Sequence, residues 1–404
     1  MMGSMPVART CCLDLDTFFV SVERLLDPSL VGRPVIVGAS PGHRGVVTAC
    51  SYEVRPLGVR SGMSMRDAVK LAPHAVYLPT RHGTYSPYAG RVKQVLERYC
   101  PVVQTASIDE FFLDFRGCEA LYATPGDTDA DATIQRVVWE MRDTIQREVG
   151  LPASAGIGTT RAVAKMASGA AKPAGVLLVR GGQERAWAAA LPVRRFPGIG
   201  PAAEGRLRAA GVETLGQLLD HRGDEGPLAS LVDLVRSGLD GTGPGALARD
   251  RPAFQEHDVE GEEGGSISNE RTFHADVARR DLVDVQLRML VERVAWRARQ
   301  RGAVARTITV KLRHADFDTH TASRTLPATT DEPALLHAAR ALLDHLWAPR
   351  KAVRLLGVAL SGLARSAQLP LPFPQERPAF SVALDAVRAR FGYDAIRLGA
   401  TAER

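Results

Sequence analysis

The sequence is poor in features that mark several common classes of protein. Its 404 residues include five cysteines, an odd number, with no Cys-x-x-Cys pair among them, which argues against a disulfide framework and a structural zinc site. No apolar run approaches the roughly 18 to 20 residues that a membrane-spanning helix needs, and the first residues lack the core of a signal peptide. We therefore expect a cytoplasmic protein with reduced thiols and no membrane partner.

The composition is that of a large globular chain with a basic region. Hydrophobic residues make up 45% and charged residues 24%, which for this length predicts two to four domains. The net charge of +6 and the pI near 9.2 favour an anionic partner. The excess is concentrated, because residues 266–365 hold 17 lysines and arginines against 10 aspartates and glutamates.

Two adjacent carboxylates, Asp109 and Glu110, interrupt an apolar and aromatic run over residues 107–115. The run is typical of a buried strand, where a carboxylate is costly unless it is paired, hydrogen-bonded or bound to a metal. The doublet therefore favours a cation site, and an exposed strand end is the alternative. Because neighbours on a regular strand face opposite ways, a shared site requires a hairpin turn or kink.

Two earlier segments carry polar groups beside predicted strands. Residues 9–16 form a predicted strand with Asp14 and Asp16 on one face, and it runs directly into a predicted helix. Tyr52 and Arg55 lie three residues apart before a glycine-punctuated loop. A phenol and a planar guanidinium on one turn suit phosphate oxygens. The alternative is an ordinary surface arginine beside a half-buried tyrosine.

The three segments together resemble the polymerase motifs of the Y-family translesion DNA polymerases. The motifs read LDLDTFFVSVE from residue 13, SYEVRPLGVRSGM from residue 51 and SIDEFFLD from residue 107, in the family's order and spacing. The resemblance is closest to the bacterial DNA polymerase IV branch and extends over residues 9–363. Three linked motifs are a far more specific signal than any one of them.

The resemblance implies an α+β multidomain fold in the shape of a right-hand polymerase. Its parts are a palm of mixed sheet plus helices, small fingers, a helix-hairpin-helix thumb and an α/β little finger. The implied bounds are 9–15 and 82–174 for the palm, 16–81 for the fingers, 175–245 for the thumb, 246–265 for a linker, 266–365 for the little finger and 366–404 for a tail.

The resemblance also implies a catalytic centre built from carboxylates. The family's catalytic and metal-binding positions match Asp14, the Leu15 carbonyl, Asp109 and Glu110. Since such oxygen ligands suit Mg²⁺, the expected cofactors are two Mg²⁺ ions, with Mn²⁺ as an alternative. Asp16 and Asp114 are nearby acids to which we assign no metal.

The positions matched to the incoming nucleotide are Phe18, Phe19, Tyr52, Arg55 and Lys172. Phe19 matches the family's steric gate, a ring that collides with a ribose 2′-hydroxyl, and core packing of a helix is the alternative. Lys172 matches a lysine-proline turn after a helix whose predicted N-cap is Thr159. The family often has Thr-Ala-Asn before the tyrosine, whereas this chain has Ala49-Cys50-Ser51, so the resemblance supplies no threonine contact to the phosphates.

Two regions are expected to hold DNA. Residues 191–215 follow a helix-hairpin-helix pattern whose glycines would let consecutive backbone N–H groups form an anion nest, and a purely structural turn is the alternative. Residues 306–313 alternate basic or polar with apolar residues, so one face suits a core and the other suits phosphates. The expected DNA contacts are Gly198, Ile199, Gly200, Arg306, Thr307, Lys311, Arg313 and Arg324.

The tail carries a short motif and a predicted helix. Gln368, Leu369, Leu371 and Phe373 resemble the peptide by which bacterial polymerases dock on a sliding clamp, and chance occurrence in a proline-rich linker is the alternative. The helix predicted over 380–391 has no functional assignment. The implied partners are primer-template DNA, deoxynucleoside triphosphates and a clamp, for a protein expected to be a monomer.

Three functions are compatible with these features. The leading hypothesis is a DNA-templated DNA polymerase that adds deoxynucleotides to a primer 3′-hydroxyl and tolerates damaged templates. A non-catalytic scaffold that keeps the fold is disfavoured because all three acids are present. A metal-dependent nuclease would leave Phe19, Tyr52 and Arg55 without a role.

Overall fold

The computed structural model describes residues 7–81, 83–221, 228–242, 265–347, 351–365 and 379–396. The chain divides into two units, which we call the N-terminal unit (residues 1–41 and 46–259) and the C-terminal unit (residues 42–45 and 260–404). Within the described ranges no helix is both long and apolar enough to cross a membrane. All five cysteines are free and buried, as expected.

The described part of the N-terminal unit contains two sheets, which place the three polymerase-like motifs at strand ends. Its strands are β1 (Thr10–Leu15), β2 (Val35–Gly38), β3 (Val47–Cys50), β4 (Val76–Pro79), β5 (Val103–Thr105), β6 (Glu110–Asp114), β7 (Ala153–Gly158) and β8 (Val176–Leu178). The larger sheet has the order β5-β6-β1-β7-β8 and the smaller one β3-β2-β4. The larger sheet is mixed, because β8 runs parallel to β7 while the other pairs are antiparallel.

Helices pack on the larger sheet, and four more described helices of the N-terminal unit follow the sheet's last strand along the chain. The helices of this unit are α1 (Phe18–Leu26), α2 (Met65–Leu71), α3 (Ser86–Tyr99), α4 (Glu119–Tyr122), α5 (Ala130–Val149), α6 (Arg161–Ala171), α7 (Glu184–Ala189), α8 (Pro201–Ala209), α9 (Leu215–Leu219) and α10 (Ala229–Asp240). The apolar stripe of α5 is buried against β1 and β6 in one core.

Helix α6 packs unusually close to the sheet. A Cβ atom at Gly156 of β7 would lie only 2.0 Å from the backbone nitrogen of Ser168, so only glycine allows this approach. The N-cap of α6 is Thr160, whose hydroxyl accepts the N–H of Val163 at 3.2 Å. The predicted cap, Thr159, was one residue too early, because its hydroxyl donates instead to Glu184 at 2.6 Å.

The C-terminal unit is a four-stranded sheet with helices packed on one face. It consists of β9 (Ile267–Val277), α11 (Arg280–Gln300), β10 (Ala303–His314), β11 (Thr319–Thr329), α12 (Glu332–Leu346), β12 (Val353–Arg365) and α13 (Ala379–Phe391). The sheet order is β11-β10-β12-β9, antiparallel throughout. The α/β structure expected for residues 266–365 is confirmed, and so is the helix predicted over 380–391.

The tail helix α13 belongs to the same unit as α11 and is joined to it by ion pairs. Arg299 of α11 lies 2.6 Å from Asp385 of α13. Arg388 of α13 is buried 3.6 Å from Glu292 of α11. Its guanidinium also lies 4.4 Å from the ring centre of Tyr393. These contacts give α13 a structural role that sequence reasoning did not assign.

Candidate active site

The predicted acidic residues meet at the centre of the larger sheet. Asp14 at the end of β1 is paired in register with Glu110 at the start of β6, and directly opposed residues of antiparallel strands point to the same face. Asp109 lies in the turn before β6, and its carbonyl accepts the N–H of Leu15 at 2.9 Å. Both Ala106 and Ser107 donate their N–H groups to the Glu110 carbonyl. The predicted hairpin turn at the doublet is therefore confirmed.

The carboxylates of this cluster lie close enough to repel one another, and two lysines offset part of their charge. Burial and, to a smaller extent, the charges of Asp109 and Glu110 raise the pKa of Asp14 to about 6, against the lowering effect of Lys172. Lys172 forms an ion pair with Asp14, and the Nζ atom of Lys165 lies 2.7 Å from Oε1 of Glu110. Two ammonium groups thus stand where the acidic cluster needs cations.

The described part of the chain holds no group of three or more His, Cys, Asp or Glu side chains arranged to bind a metal ion as they stand. The donor set nevertheless fits a hard divalent cation, because carboxylate oxygens are its preferred ligands. The ammonium groups of Lys165 and Lys172 act as stand-in cations on two of the three acids. The metal assignment of the four predicted ligand positions stays a prediction.

A cavity of about 460 Å³ opens beside this cluster, and basic groups dominate its wall. Its charged lining consists of Asp14, Glu110, Arg55, Lys165, Lys172 and the pair Arg194 and Arg195. Tyr52 also lines it, and the Arg55 guanidinium lies 4.4 Å from the centre of the Tyr52 ring. The structure therefore brings the predicted nucleotide residues Tyr52, Arg55 and Lys172 together with two of the acids.

Three of the basic residues in that cavity escaped the sequence analysis. Lys165 lies on α6 and Lys172 directly follows the last residue of that helix, so their closeness in the chain is the only sequence signal that relates them. Arg194 and Arg195 lie in a short 3-10 turn, Val193–Arg195. No signal in their local sequence relates them to strands β1 and β6, because only the tertiary fold brings them there.

A second cavity of about 190 Å³ contains the predicted aromatic residues. Phe18 is buried in the core, whereas Phe19 is partly buried. The Phe19 ring stacks on Tyr85 with ring centres 3.8 Å apart and planes within 8°. Phe18 and Phe19 line the cavity along with Asp14 and Asp109, and because only Phe18 is fully buried, the core-packing alternative describes Phe18 better than Phe19.

Residues before Tyr52 also line the second cavity. Thr48, Ala49 and Cys50 form part of its wall. The Thr48 hydroxyl lies 2.9 Å from the hydroxyl of Thr80, while Ser51 is buried and accepts the N–H of Val35 at 3.0 Å. The unusual Ala49-Cys50-Ser51 segment is thus accommodated by packing and backbone hydrogen bonds.

The helix-hairpin-helix prediction is correct in its helices but wrong in one detail of its turn. Gly198 has a φ of +100° and Gly200 is the N-cap of α8. The N–H of Ile199, however, donates to the Phe196 carbonyl at 3.1 Å. Because that amide is used inside the turn, it does not contribute an outward-facing N–H to an anion nest.

The sheet of the C-terminal unit has one apolar and one polar face. Ile308, Val310 and Leu312 of β10 are buried under the helices, so Lys311 and Arg313 point to the opposite face. The same face is rich in hydroxyl groups from β10 and β11: Thr307, Thr309, Thr319, Thr321, Ser323 and Thr325. Lys311 is paired there with Glu270, Nζ to Oε1 at 2.9 Å.

One of the predicted DNA contacts lies apart from this polar face, and another lies at an irregularity of the sheet. Arg324 is paired in register with Ile308, so it lies on the same side of the sheet as the core, at the exposed edge strand. Arg306 is exposed beside an irregularity in the pairing of β10 with β11. The predicted clamp-binding residues Gln368, Leu369, Leu371 and Phe373 lie outside the described residues.

The fold is that of the Y-family DNA polymerases. A solved Y-family DNA polymerase chimera of Dbh and Dpo4 superposes with a TM-score of 0.71 at 22% identity, covering 88% of this chain and 99% of that chain. An insertion ternary complex of Dbh DNA polymerase gives a TM-score of 0.60 at 21% identity over the same shares. The predicted fold class, with palm, fingers, thumb and little finger, is confirmed by this likeness.

Sequence relatives give the family. Residues 13–169 match the impB/mucB/samB family and residues 265–398 match its C-terminal domain. DNA polymerase IV of Streptomyces coelicolor is 40% identical over 87% of this chain and 70% of that protein. DNA polymerase IV of Dehalococcoides mccartyi is 34% identical over 98% of both chains. This chain therefore belongs to the impB/mucB/samB family and is a Y-family DNA polymerase similar to DNA polymerase IV, as the sequence predicted.

Proposed function

We propose that this chain adds deoxynucleotides to a primer 3′-hydroxyl by two-metal-ion phosphoryl transfer and is specialised for synthesis past damaged template bases. The observation that carries the proposal is the pairing of Asp14 with Glu110 beside a cavity lined by Tyr52, Arg55 and Lys172. Carboxylates that suit cations and basic side chains that suit a triphosphate thus line the same cavity. This is the combination that nucleotidyl transfer requires.

Divalent metal dependence follows from the family, and we assign two Mg²⁺ ions, or Mn²⁺, to this site. Asp14, the Leu15 carbonyl, Asp109 and Glu110 would hold them. When bound, such cations offset the negative charge that develops on the attacking and leaving oxygens. The chain itself contributes the cluster of acids, and Lys165 and Lys172 must leave their carboxylate partners to make those oxygens available.

The remaining side chains of the two cavities would bind and orient the nucleotide. Lys172 and Arg55 are placed to pair with phosphate oxygens, and Tyr52 supports Arg55, whose guanidinium lies over its ring. Their positive charge would also offset charge on the leaving group. Phe19, fixed by its stack on Tyr85, would lie under the sugar and exclude a ribose 2′-hydroxyl.

We assign DNA binding to the polar sheet face of the C-terminal unit and to the helix-hairpin-helix region. Lys311 and Arg313 among threonine and serine hydroxyls form a surface of hydrogen-bond donors, which suits phosphate oxygens rather than base edges. We place the palm in 9–15 and 82–174, the fingers in 16–81, the thumb in 175–245, the little finger in 266–365 and the clamp contact in the tail.

The test is primer extension with purified protein on intact and damaged templates. We expect divalent metal-dependent extension by the wild-type protein and at least a 10³-fold loss in Asp109→Ala and Glu110→Ala, because each change removes an acid that phosphoryl transfer needs. Glu97→Ala, on the exposed face of α3, serves as the matched control and should extend normally.

Retained synthesis in Asp109→Ala and Glu110→Ala would contradict the site assignment. Degradation of DNA without nucleotides would favour a nuclease. DNA binding without extension in the wild-type protein would favour a scaffold.

A further inference from the structure

We propose that Asp16 is a positioning residue for the incoming nucleotide, holding both the Tyr52 turn and the Lys172 turn in place. The inference deepens the proposed function and rests on it. Sequence reasoning assigned no role to Asp16. In the structure its side chain is 1% exposed, and three separate segments of the N-terminal unit converge on its carboxylate.

The contacts of Asp16 come from neutral donors. Its Oδ1 accepts the Tyr52 hydroxyl at 3.0 Å, and its Oδ2 accepts the N–H of Ala174 at 2.7 Å. The Ser154 hydroxyl lies 2.8 Å from Oδ2 and 3.0 Å from Oδ1. Because a buried carboxylate is costly without such donors, all three are drawn to fixed positions around it.

Asp16 differs in this respect from the acids that we assign to metal. Asp14 and Glu110 are paired with lysine ammonium groups in open cavities, and a metal ion can replace those cations. Among the described residues, no lysine or arginine forms an ion pair with Asp16, and its contacts are with hydroxyls and a backbone N–H. Asp16 therefore holds parts of the protein rather than an exchangeable cation.

The backbone around Asp16 is fixed as firmly as its side chain. Thr17 and Ala174 have φ values of +45° and +50°, a left-handed conformation that residues with a side chain rarely adopt. The N–H of Asp16 donates to Pro152 at 2.9 Å, and its carbonyl accepts the Ser21 hydroxyl at 2.7 Å. Such conformations persist only where surrounding contacts hold them.

The consequence for nucleotide binding follows from what the two turns carry. Tyr52 supports Arg55 through the stacking of the guanidinium on its ring, and Ala174 lies two residues after Lys172 in the same turn. By holding the Tyr52 hydroxyl and the Ala174 N–H, Asp16 sets the positions of both cationic side chains. It acts through them, because its side-chain hydrogen bonds are to Tyr52, Ser154 and Ala174 and not to the acids assigned to metal.

The first test is Asp16→Asn. The amide keeps the size of the side chain but replaces one accepting oxygen with a donor, so it cannot accept all three contacts. On a dideoxy-terminated primer, which prevents chemistry, we expect nucleotide to bind about tenfold more weakly. Primer-template affinity should change less than twofold, and kcat at saturating nucleotide less than threefold. Asp114→Asn, which removes another buried carboxylate of the same sheet, should leave nucleotide affinity unchanged.

A double-mutant cycle with Tyr52→Phe tests the path of the effect. If Asp16 acts through the Tyr52 hydroxyl, the double variant should bind nucleotide more tightly than the product of the two single losses predicts. Independent, fully multiplicative losses would overturn that path. An Asp16→Asn protein that is folded and binds nucleotide as the wild-type protein does would overturn the whole inference.

If Asp16→Asn does not fold, Ser154→Ala decides. It keeps the Asp16 charge but removes the hydroxyl that fixes both oxygens, and we expect about threefold weaker nucleotide binding with unchanged primer-template affinity. Unchanged nucleotide binding would again overturn the inference. The proposed function fails separately, by absence of incorporation and of nucleotide binding in the wild-type protein itself.

Discussion

The two units of this polymerase each contain an acid whose pKa is raised, and the two acids have opposite surroundings. Burial raises the pKa of Asp14 to about 6 in the N-terminal unit and that of Glu292 to about 7 in the C-terminal unit. Asp14 faces two cavities and is paired with a flexible lysine. Glu292 is 4% exposed and is paired with Arg388, which is 1% exposed.

The difference teaches that a perturbed pKa alone does not identify an active site. Lys172 can leave Asp14 for a triphosphate, because its long side chain lies at the wall of an open cavity. Arg388 cannot leave Glu292, because it is enclosed between α11 and the Tyr393 ring. The first pair is exchangeable, and the second fixes the tail helix to its unit.

The largest effect is expected from Asp14→Asn. Nucleotide incorporation should fall at least 10³-fold because a predicted metal ligand is lost. The stability of the variant, in contrast, should rise above that of the wild-type protein at neutral and alkaline pH. Since the folded pKa of Asp14 lies above its ordinary value, the charged form is disfavoured in the fold, and the contribution of this carboxyl to wild-type stability is lost as pH rises from about 4 through about 6.

The stability part of this prediction is measured by denaturant unfolding at two pH values. At pH 8 the metal-free Asp14→Asn protein should be more stable than the wild-type protein, by up to about 3 kcal/mol. At pH 4, where wild-type Asp14 is also protonated, the difference should vanish. A variant that is less stable at both pH values would show that Asp14 is structural, like Glu292.

The second largest effect is expected from breaking the enclosed pair of Arg388 and Glu292 in the C-terminal unit. Arg388→Met leaves the Glu292 carboxylate buried without its partner, and breaking a buried pair typically costs about 3 to 5 kcal/mol. We expect that loss at pH 8.5 and a smaller one at pH 6. Removing Arg388 raises the Glu292 pKa further, with Glu332 nearby acting in the same direction, so the acid is already protonated at pH 6.

Incorporation on a saturating primer-template should change less than twofold in Arg388→Met. The matched control is the double variant Glu292→Leu with Arg388→Met, which removes both charges and should recover most of the stability. If Arg388→Met lost much of its nucleotide incorporation under conditions where it is fully folded, this pair too would serve the reaction.

The smallest effect concerns an exposed pair. Lys311 and Glu270 lie on the polar sheet face, so we expect Lys311 to exchange its partner for DNA phosphate. Lys311→Ala combined with Arg313→Ala should weaken primer-template binding about tenfold at physiological salt and reduce the salt slope by about two. Arg340→Ala, on α12, is the control and should have little effect.

A variant of Arg324 tests whether DNA contacts the polar face of this sheet or its edge. Its register places it opposite Ile308, away from Lys311 and Arg313. Arg324→Ala should therefore leave the salt slope unchanged. A loss equal to that of Arg313→Ala would place the DNA contact at the sheet edge instead of on its polar face.

Much of the fold could be predicted because local patterns and tertiary structure agree. The alternation along β10 predicted its buried and polar faces. The hairpin turn was predicted because Asp109 and Glu110 cannot face the same way on a straight strand. The prediction of Thr159 as the cap of α6 was wrong because two adjacent threonines compete for that role. Only the contact with Glu184 decides between them.

The parts of the site that could not be predicted depend on distant contacts. Asp16 carries no sequence signal that separates it from any other acid at a strand end, and its donors come from residues 52, 154 and 174. Arg194 and Arg195 reach the cavity only through the path of the chain after β8. The side of the sheet on which Arg324 lies depends on the register of β11, which no local pattern fixes.

The central claim is that the exchangeable acids of the N-terminal unit hold the metal ions, whereas the enclosed pair of the C-terminal unit does not. The most direct measurement counts Mn²⁺ bound to the complex of protein, dideoxy-terminated primer-template and nucleotide by electron paramagnetic resonance, after subtraction of nucleotide alone. The account predicts two ions for the wild-type protein and for the Glu292→Leu, Arg388→Met double variant, and fewer than two for Asp14→Asn. An unchanged count in Asp14→Asn would contradict it.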